Sequence, residues 1–226
     1  MNSYPINLKL SGKKVLIVGG GKVAYRKAKR LLEAKAEITL VSPTVIDNLK
    51  DLILANNIKY YQREFKEEDI LDTCLIFAAT DNRRVNSLIA NLADKNNLLV
   101  NVADSLEEST FILPALIKQG DLLLTVATGG NLPALSKRIR EELENSFGEE
   151  FKVFLELMKI LRTIIIDTID DEKQRRKIFR ELADLELIRV LAEDKDEFLE
   201  KLNKILPAKV RGVCDLAYIV EDGLGV

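Results

Sequence analysis

No histidine occurs among the 226 residues, and no tryptophan. The first absence removes the side chain that titrates nearest neutrality, the commonest transition-metal ligand, and every Ser–His or Cys–His nucleophile pair. Proton transfer in this chain therefore falls to Asp, Glu, Lys, Tyr or Cys. Cysteine is scarce. Cys74 and Cys214 stand far apart and form no metal-ligand spacing; Cys74 falls in an apolar stretch that reads as a strand with a buried thiol. No apolar run approaches the roughly 18 residues of a membrane-spanning helix. The opening MNSYPINLKL has no signal-peptide pattern, so the expected location is cytoplasmic. Excess charge is missing too. Thirty-four basic residues against 36 acidic ones leave a net charge of −2, which gives no general attraction to nucleic acid. The remaining composition, 47% hydrophobic and 31% charged, is that of a globular chain long enough for one large or two small domains.

Glycine is concentrated where it is informative. In GKKVLIVGGGKVAYRKAKRLLEA, residues 12–34, an apolar run (Val15 to Val18) meets three glycines and then a helical pattern. Val23, Ala24, Ala28, Leu31 and Leu32 recur at helical spacing, and Lys22, Arg26, Lys27, Lys29 and Arg30 fall mostly opposite. Gly19, Gly21 and Ala24 fit G-x-G-x-x-A between a strand and a helix. There the first glycine permits the turn, the second lets a pyrophosphate approach, and the small third residue packs helix on sheet. The first N–H groups of the helix then face an anion. A glycine-rich turn with no ligand is the alternative.

Further strands are expected at 37–41, 58–63, 74–80 and 98–104, with helices at 47–56, 67–73 and 82–95. Alternation of this kind predicts an α/β fold with a doubly wound parallel sheet over the first half of the chain. The pattern then changes. Runs 111–117 and 121–128, separated by Lys118-Gln119-Gly120, read as a hairpin or a pair of extra strands. A helix follows from 134 to about 146, and from 151 onward the chain is helical, with breaks at Gly148 and Pro207. The basic run 173–177 reads as a solvated helix face.

A dinucleotide should lie across the carboxyl ends of the strands. Ser42-Pro43-Thr44, after the second strand, holds neither an acidic residue for a ribose nor an arginine for a 2′-phosphate, so NAD against NADP stays open there. Thr80 and Asp81 end the fourth strand in the same crevice; Asp81 reads equally as a cofactor contact or the cap of the next helix. Asp104 ends the fifth strand after an apolar run. Partial desolvation there would suit a general base, and a turn aspartate is the alternative. Thr128-Gly129-Gly130 forms a second junction able to grip a carboxylate or phosphate, or a plain turn.

The order VGGGKVAYRK, AATD, NVAD, FILPA and TGGNLPAL, spread over about two thirds of the chain, resembles the precorrin-2 dehydrogenase family, the siroheme-synthase family with its bifunctional dehydrogenase/ferrochelatases. The resemblance implies three parts: an NAD-binding Rossmann domain (1–112), a dimerisation segment of two strands plus a helix (113–146), and a small helical domain (147–226). It implies oxidation of precorrin-2 to sirohydrochlorin, in siroheme biosynthesis, by a homodimer; from the charge balance and the short apolar runs, no nucleic-acid and no membrane partner is expected. Fe²⁺ insertion is the further activity of some members. By resemblance Asp104 takes the acid/base role, and Gly19, Gly20, Gly21, Lys22, Val23, Ser42, Pro43, Thr44 and Thr80 are the cofactor positions, with NAD as the cofactor. Thr128, Gly129, Gly130 and Lys137 become candidates for the eight carboxylates of the substrate, alongside the cations Lys22, Arg26 and Arg138. Leu132 departs from the hydroxyl residue common at its position in the family. No metal-binding residues are expected, and no room remains for the methyltransferase domain fused to some relatives.

Two other readings compete. An NAD-sensing regulatory module would share the nucleotide-binding half and need no Asp104 chemistry. A short-chain dehydrogenase needs a Y-x-x-x-K pair. Tyr25 and Lys29 have that spacing but sit in the first helix, where they cannot serve that role.

Overall fold

The computed structural model describes residues 3–213. The chain divides into two compact units, the first ending at Leu113 and the second starting at Pro114. Cys214 lies outside the described residues.

The first unit is a five-stranded parallel sheet in the order β3-β2-β1-β4-β5. Its strands are β1 (Lys14–Val18), β2 (Glu37–Val41), β3 (Lys59–Tyr61), β4 (Leu75–Ala78) and β5 (Leu99–Val102). Helices α1 (Lys22–Glu33), α2 (Asp47–Asn56) and α3 (Arg83–Lys95) connect them, with a 3₁₀ turn at Glu67–Ile70. Alternation along the strands supplies both faces. Val15, Ile17, Ile38, Leu40 and Phe77 pack under α1 and α2. Leu16, Val18, Val41, Ile76 and Val100 point the other way, under α3. Helices on both sides explain why the inner strands read as unbroken apolar runs.

Strand register positions the site. Val18 pairs with Val41 on one side and Ala78 on the other, and Ala78 pairs with Val102. Four strands therefore end level, and Gly19, Ser42, Ala79 and Ala103 follow at one rim. The outer edge of β5 is not left bare. Ser109 and Thr110 return along it, with hydroxyls accepting from the Val102 and Val100 N–H groups at 2.9 and 2.8 Å.

The second unit pairs a hairpin with a helical layer. β6 (Ala115–Gln119) and β7 (Leu122–Val126) are antiparallel, turning through Gly120, at φ +59°, and Asp121. The helices are α4 (Pro133–Ser146), α5 (Glu150–Thr168), α6 (Glu172–Leu182), α7 (Leu185–Glu193), α8 (Lys195–Ile205) and the short α9 (Ala208–Arg211). Phe151, Phe154, Leu157, Leu161 and Ile165 follow helical spacing down one face of α5 and join Leu187, Leu191, Phe198 and Leu202 in its core. Asp171, Asp184 and Asp194 cap α6, α7 and α8 through side-chain hydrogen bonds to N–H groups.

Four expectations change. The expected third strand shortens to Lys59–Tyr61, and the helix expected at 67–73 contracts to the 3₁₀ turn. Cys74 precedes β4 and is exposed, its thiol 3.4 Å from the Lys14 carbonyl oxygen. Lys27 is not on the solvent side of α1. It is 9% exposed, with Nζ donating to Asn101 Oδ1 at 3.2 Å and lying 5.3 Å from the centroid of the Phe77 ring. Asn101 in turn donates to the Phe111 carbonyl at 3.1 Å. A charged residue seldom sits on a packed helix face, so periodicity alone assigned it outward.

Burial, with the charges of Arg26 and Arg30 adding to it, pushes the Lys27 amine down to about 8. The unfolded chain then holds this proton more firmly than the folded one, so stability should rise between about pH 8 and pH 10.5. Urea denaturation at pH 7.5 and 9.5 should show a rise in midpoint for the wild type that Lys27→Met largely abolishes; equal rises in both would refute a buried amine.

Candidate functional site

A cavity of about 980 Å³ opens along the carboxyl rim of the first unit. Every predicted cofactor position lines it: Gly19, Gly20, Gly21, Lys22 and Val23 from the β1–α1 turn, Ser42, Pro43 and Thr44 after β2, and Thr80 after β4. Asp104 lines it as well. The topological switch between β1 and β4 puts the crevice there, because α1 leaves one face of the sheet and α3 the other.

The three glycines differ in what they permit. Gly19 has φ +123°, and a Cβ there would overlap the Ala79 carbonyl. A Cβ on Gly20 would overlap the Thr44 carbonyl oxygen and come within 2.8 Å of Ser42 Oγ. These two glycines let the turn pack against the loops after β4 and β2. The Gly19 N–H donates to the Val41 carbonyl at 2.9 Å, and the Ile46 N–H to the Gly20 carbonyl at 3.0 Å. Gly21 caps α1, and a Cβ there would meet nothing within 4 Å. Beside the first turn of α1 that empty space suits a pyrophosphate, which the free N–H groups and the helix dipole would hold. Ala24, fully buried, keeps α1 close to the sheet.

Around the rim the charges are uneven. Lys22 is the cationic lining residue; Glu64, Asp81 and Asp104 are acidic. Ser42 is buried, and its hydroxyl donates to the Thr44 carbonyl at 2.6 Å. Tyr60 donates to the Ser42 carbonyl at 3.0 Å, and burial raises its phenol above the ordinary value. Arg63, beside Glu64, is held by Asp69 through two hydrogen bonds of 2.8 and 2.6 Å. Its guanidinium is thereby committed to a carboxylate of its own chain.

Asp104 lies two residues beyond β5, and its side chain is 48% exposed. The apolar run suggested partial desolvation, and about half of the side chain stays in solvent where the chain turns after Val102. Polar groups surround it. Asn86 Nδ2 donates to Oδ1 at 3.1 Å, and Arg83 Nη1 lies 3.7 Å from the same oxygen. Arg83 also pairs with Glu108. Burial pushes the Glu108 carboxyl up, but hydrogen bonds from Ser87 and Arg83 outweigh it and hold it below the usual range. Asp81 does not cap α3; Asn82 does, accepting from Arg84 N–H at 3.0 Å.

Thr128, Gly129, Gly130 and Lys137 belong to the second unit. Gly129 and Gly130 take φ +63° and +82°. The Thr128 hydroxyl is 2.9 Å from Ser136 Oγ and 3.1 Å from the Leu132 carbonyl, and Lys137 lies 3.7 Å from Glu141. Arg138 is matched in the same way with Glu142, and Arg26 is exposed outside the cavity lining. Lys29 lies 5.9 Å from the Tyr25 ring centroid, and neither residue lines the cavity. Sequence reasoning missed Asn86 and Arg83. The available signal was an asparagine between Val85 and Ile89 on the apolar side of α3, a place a polar residue holds only if its hydrogen bonds are met.

Sheet order, glycine turn and rim cavity together define a Rossmann-type dinucleotide-binding protein. Comparison with known proteins narrows this. The family described as "Putative NAD(P)-binding" matches residues 6–115. A precorrin-2 dehydrogenase of Priestia megaterium is 30% identical over 201 residues, covering 89% of this chain and 98% of that one. The solved structure of SirC, precorrin-2 dehydrogenase, superposes with a TM-score of 0.75 at 30% identity, covering 89% of this chain and all of that one. A siroheme synthase of Pseudoalteromonas translucida is 32% identical over 226 residues, the whole of this chain and 48% of the relative. The chain belongs to the precorrin-2 dehydrogenase family. It spans about half the length of the siroheme synthase.

The glycines generate a paired test. Gly20→Ala should lower the melting temperature of the ligand-free protein, since the Thr44 carbonyl must move. Gly21→Ala should leave melting unchanged and weaken NAD binding by about tenfold or more, read by titration calorimetry. Unchanged NAD affinity in Gly21→Ala would remove the pyrophosphate from this position.

Proposed function

We propose that the protein is an NAD-dependent oxidoreductase that converts precorrin-2 to sirohydrochlorin in siroheme biosynthesis. The observation that carries this is a single cavity containing both the glycine cradle at the α1 N-terminus and the Asp104 carboxylate. NAD, when bound, supplies the hydride acceptor. The reaction removes one hydride and one proton from the macrocycle. Among the acidic lining residues Glu64, Asp81 and Asp104, the family resemblance gives Asp104 the role of taking the proton, and its half-exposed position lets that proton pass to solvent. Gly21 and the α1 N–H groups hold the pyrophosphate, and Lys22 adds positive charge beside it.

Selection of NAD over NADP has a local basis. Near the loop after β2, Ser42 and Arg63 are both engaged, and Glu64 presents negative charge. A 2′-phosphate would find repulsion where it needs a cation. Calorimetry should give NAD at least about tenfold tighter binding than NADP; equal affinities would contradict this account.

For the substrate we assign Thr128, Gly129, Gly130 and Lys137 as candidate contacts to the carboxylates. Gly129 and Gly130, at positive φ ahead of α4, are conformationally suited to present N–H groups. Fe²⁺, as a substrate, would enter as the two pyrrole protons left in turn through Asp104 to solvent; we assign this as a second activity for test. We also propose a homodimer built on residues 113–146. In the second unit Leu123 on β7, Leu132 just before α4 and Leu135 on α4 are 39%, 53% and 42% exposed, an apolar set that a second copy would cover. An exposed free thiol at Cys74 suits the reducing cytoplasm, and among the described residues no helix is long and apolar enough to cross a membrane.

The test is an anaerobic assay with NAD⁺ and precorrin-2 generated in situ by a methyltransferase. NADH and the sirohydrochlorin spectrum should rise together for the wild type. Asp104→Ala should lose about 100-fold or more in turnover with NAD binding retained. Adding Fe²⁺ to the same sample decides the chelatase. A folded, NAD-binding wild type that forms no product would overturn the enzyme assignment. Sedimentation should give twice the mass of one chain.

A further inference from the structure

Asn86 is fully buried on the first turns of α3, and its amide has no spare capacity. Oδ1 accepts from the Thr80 backbone N–H at 3.3 Å and from the Thr80 hydroxyl at 2.7 Å. Nδ2 donates to the Thr80 carbonyl at 3.0 Å and to Asp104 Oδ1 at 3.1 Å. Two acceptor sites and two donor hydrogens are all that a carboxamide offers. Rotating the amide by 180° would set its NH₂ against the Thr80 N–H, a donor whose direction the backbone fixes. The amide is therefore locked with a donor facing Asp104.

That lock decides what Asp104 can do. An oxygen that accepts from Nδ2 cannot itself carry the proton toward Asn86. Arg83 Nη1 approaches this same Oδ1, at 3.7 Å, so both polar partners meet Asp104 on one oxygen. Oδ2 has no hydrogen-bond or ion-pair partner among the described residues. Thr80 and Asp104 both line the cavity, so Asn86 ties the ends of β4 and β5 together behind it.

We propose that Asn86 is a positioning residue for proton transfer: it holds Asp104 by Oδ1 and thereby reserves Oδ2 to receive the proton lost by the substrate. This rests on Asp104 as the base of the dehydrogenase. No electrons pass through Asn86. NAD, when bound, would accept a hydride carrying the electron pair of one substrate carbon–hydrogen bond; a second substrate X–H bond breaks the other way, its electron pair staying in the macrocycle as the new double bond while its proton forms an O–H bond at Oδ2.

A double-mutant cycle on the single-turnover rate of NADH formation tests it, using wild type, Asn86→Ala, Asp104→Ala and the double variant of the full chain. Asn86→Ala should slow the step, measured at saturating NAD, about 10- to 100-fold, the worth of a hydrogen bond to a charged group. In the Asp104→Ala background the same substitution should cost nothing further, because a residue acting through Asp104 has nothing left to position. An equal loss in both backgrounds would overturn the proposal and leave Asn86 a structural residue. Should Asn86→Ala fail to fold, Asn86→Asp keeps the acceptor for the Thr80 N–H and hydroxyl and loses both donors, to the Thr80 carbonyl and to Asp104; wild-type turnover in that variant would overturn the proposal. A wild type that binds NAD and never oxidises precorrin-2 defeats the dehydrogenase reading, and the positioning role with it. An active wild type with additive losses defeats the positioning role alone.

Discussion

Gly20 has no side chain because the Thr44 carbonyl oxygen occupies the place of one. Gly19 is set in the same way against the Ala79 carbonyl. These two close approaches hold the β1–α1 turn against the loops after β2 and β4, and the rest of the site follows from them. They fix the start of α1, direct its first N–H groups along the rim, and leave the space at Gly21 open to the cavity. A bulkier turn would separate the loops and open the crevice. Close backbone packing, more than any side-chain contact, creates the nucleotide-binding end of the cavity.

The opposite end is built from hydrogen bonds. Beyond β5 the chain turns outward, and Ser109 and Thr110 pin its return along the strand edge. The loop between carries Asp104 and Glu108 past the N-terminus of α3, where Arg83 and Asn86 meet them. A second polar device lies on the other face, where Lys27 donates to Asn101 and Asn101 to the Phe111 carbonyl. Burying an amine is unfavourable unless it is hydrogen-bonded. Here the Asn101 bond and the Phe77 ring compensate for lost water, and the segment after β5 is anchored from both sides of the sheet.

Much of this was legible in the chain. The strands at 37–41 and the helix at 47–56 fall where periodicity placed them, because a buried face enforces its own spacing. The glycine turn was readable as a nucleotide cradle, and Asp104 as a rim residue. Less legible were the environments. The apolar run before Asp104 suggested partial desolvation but carried no record of its partners Asn86 and Arg83. Lys27 counted as a solvent-facing charge, and Cys74 as a buried thiol; both were misplaced. Each error concerns a residue whose surroundings come from distant segments. Asn101, 74 residues from Lys27, makes its burial tolerable.

By itself the sequence determined the alternation of strands and helices, the glycine turn, and the exclusion of histidine chemistry. Those depend on residue type and local spacing. Tertiary structure alone decided which glycine a ligand can approach, which oxygen of Asp104 is held, and which cation is already committed. These depend on groups brought together across the sheet, such as Gly20 with Thr44 and Asn86 with Asp104, and spacing along the chain carries no record of such distances.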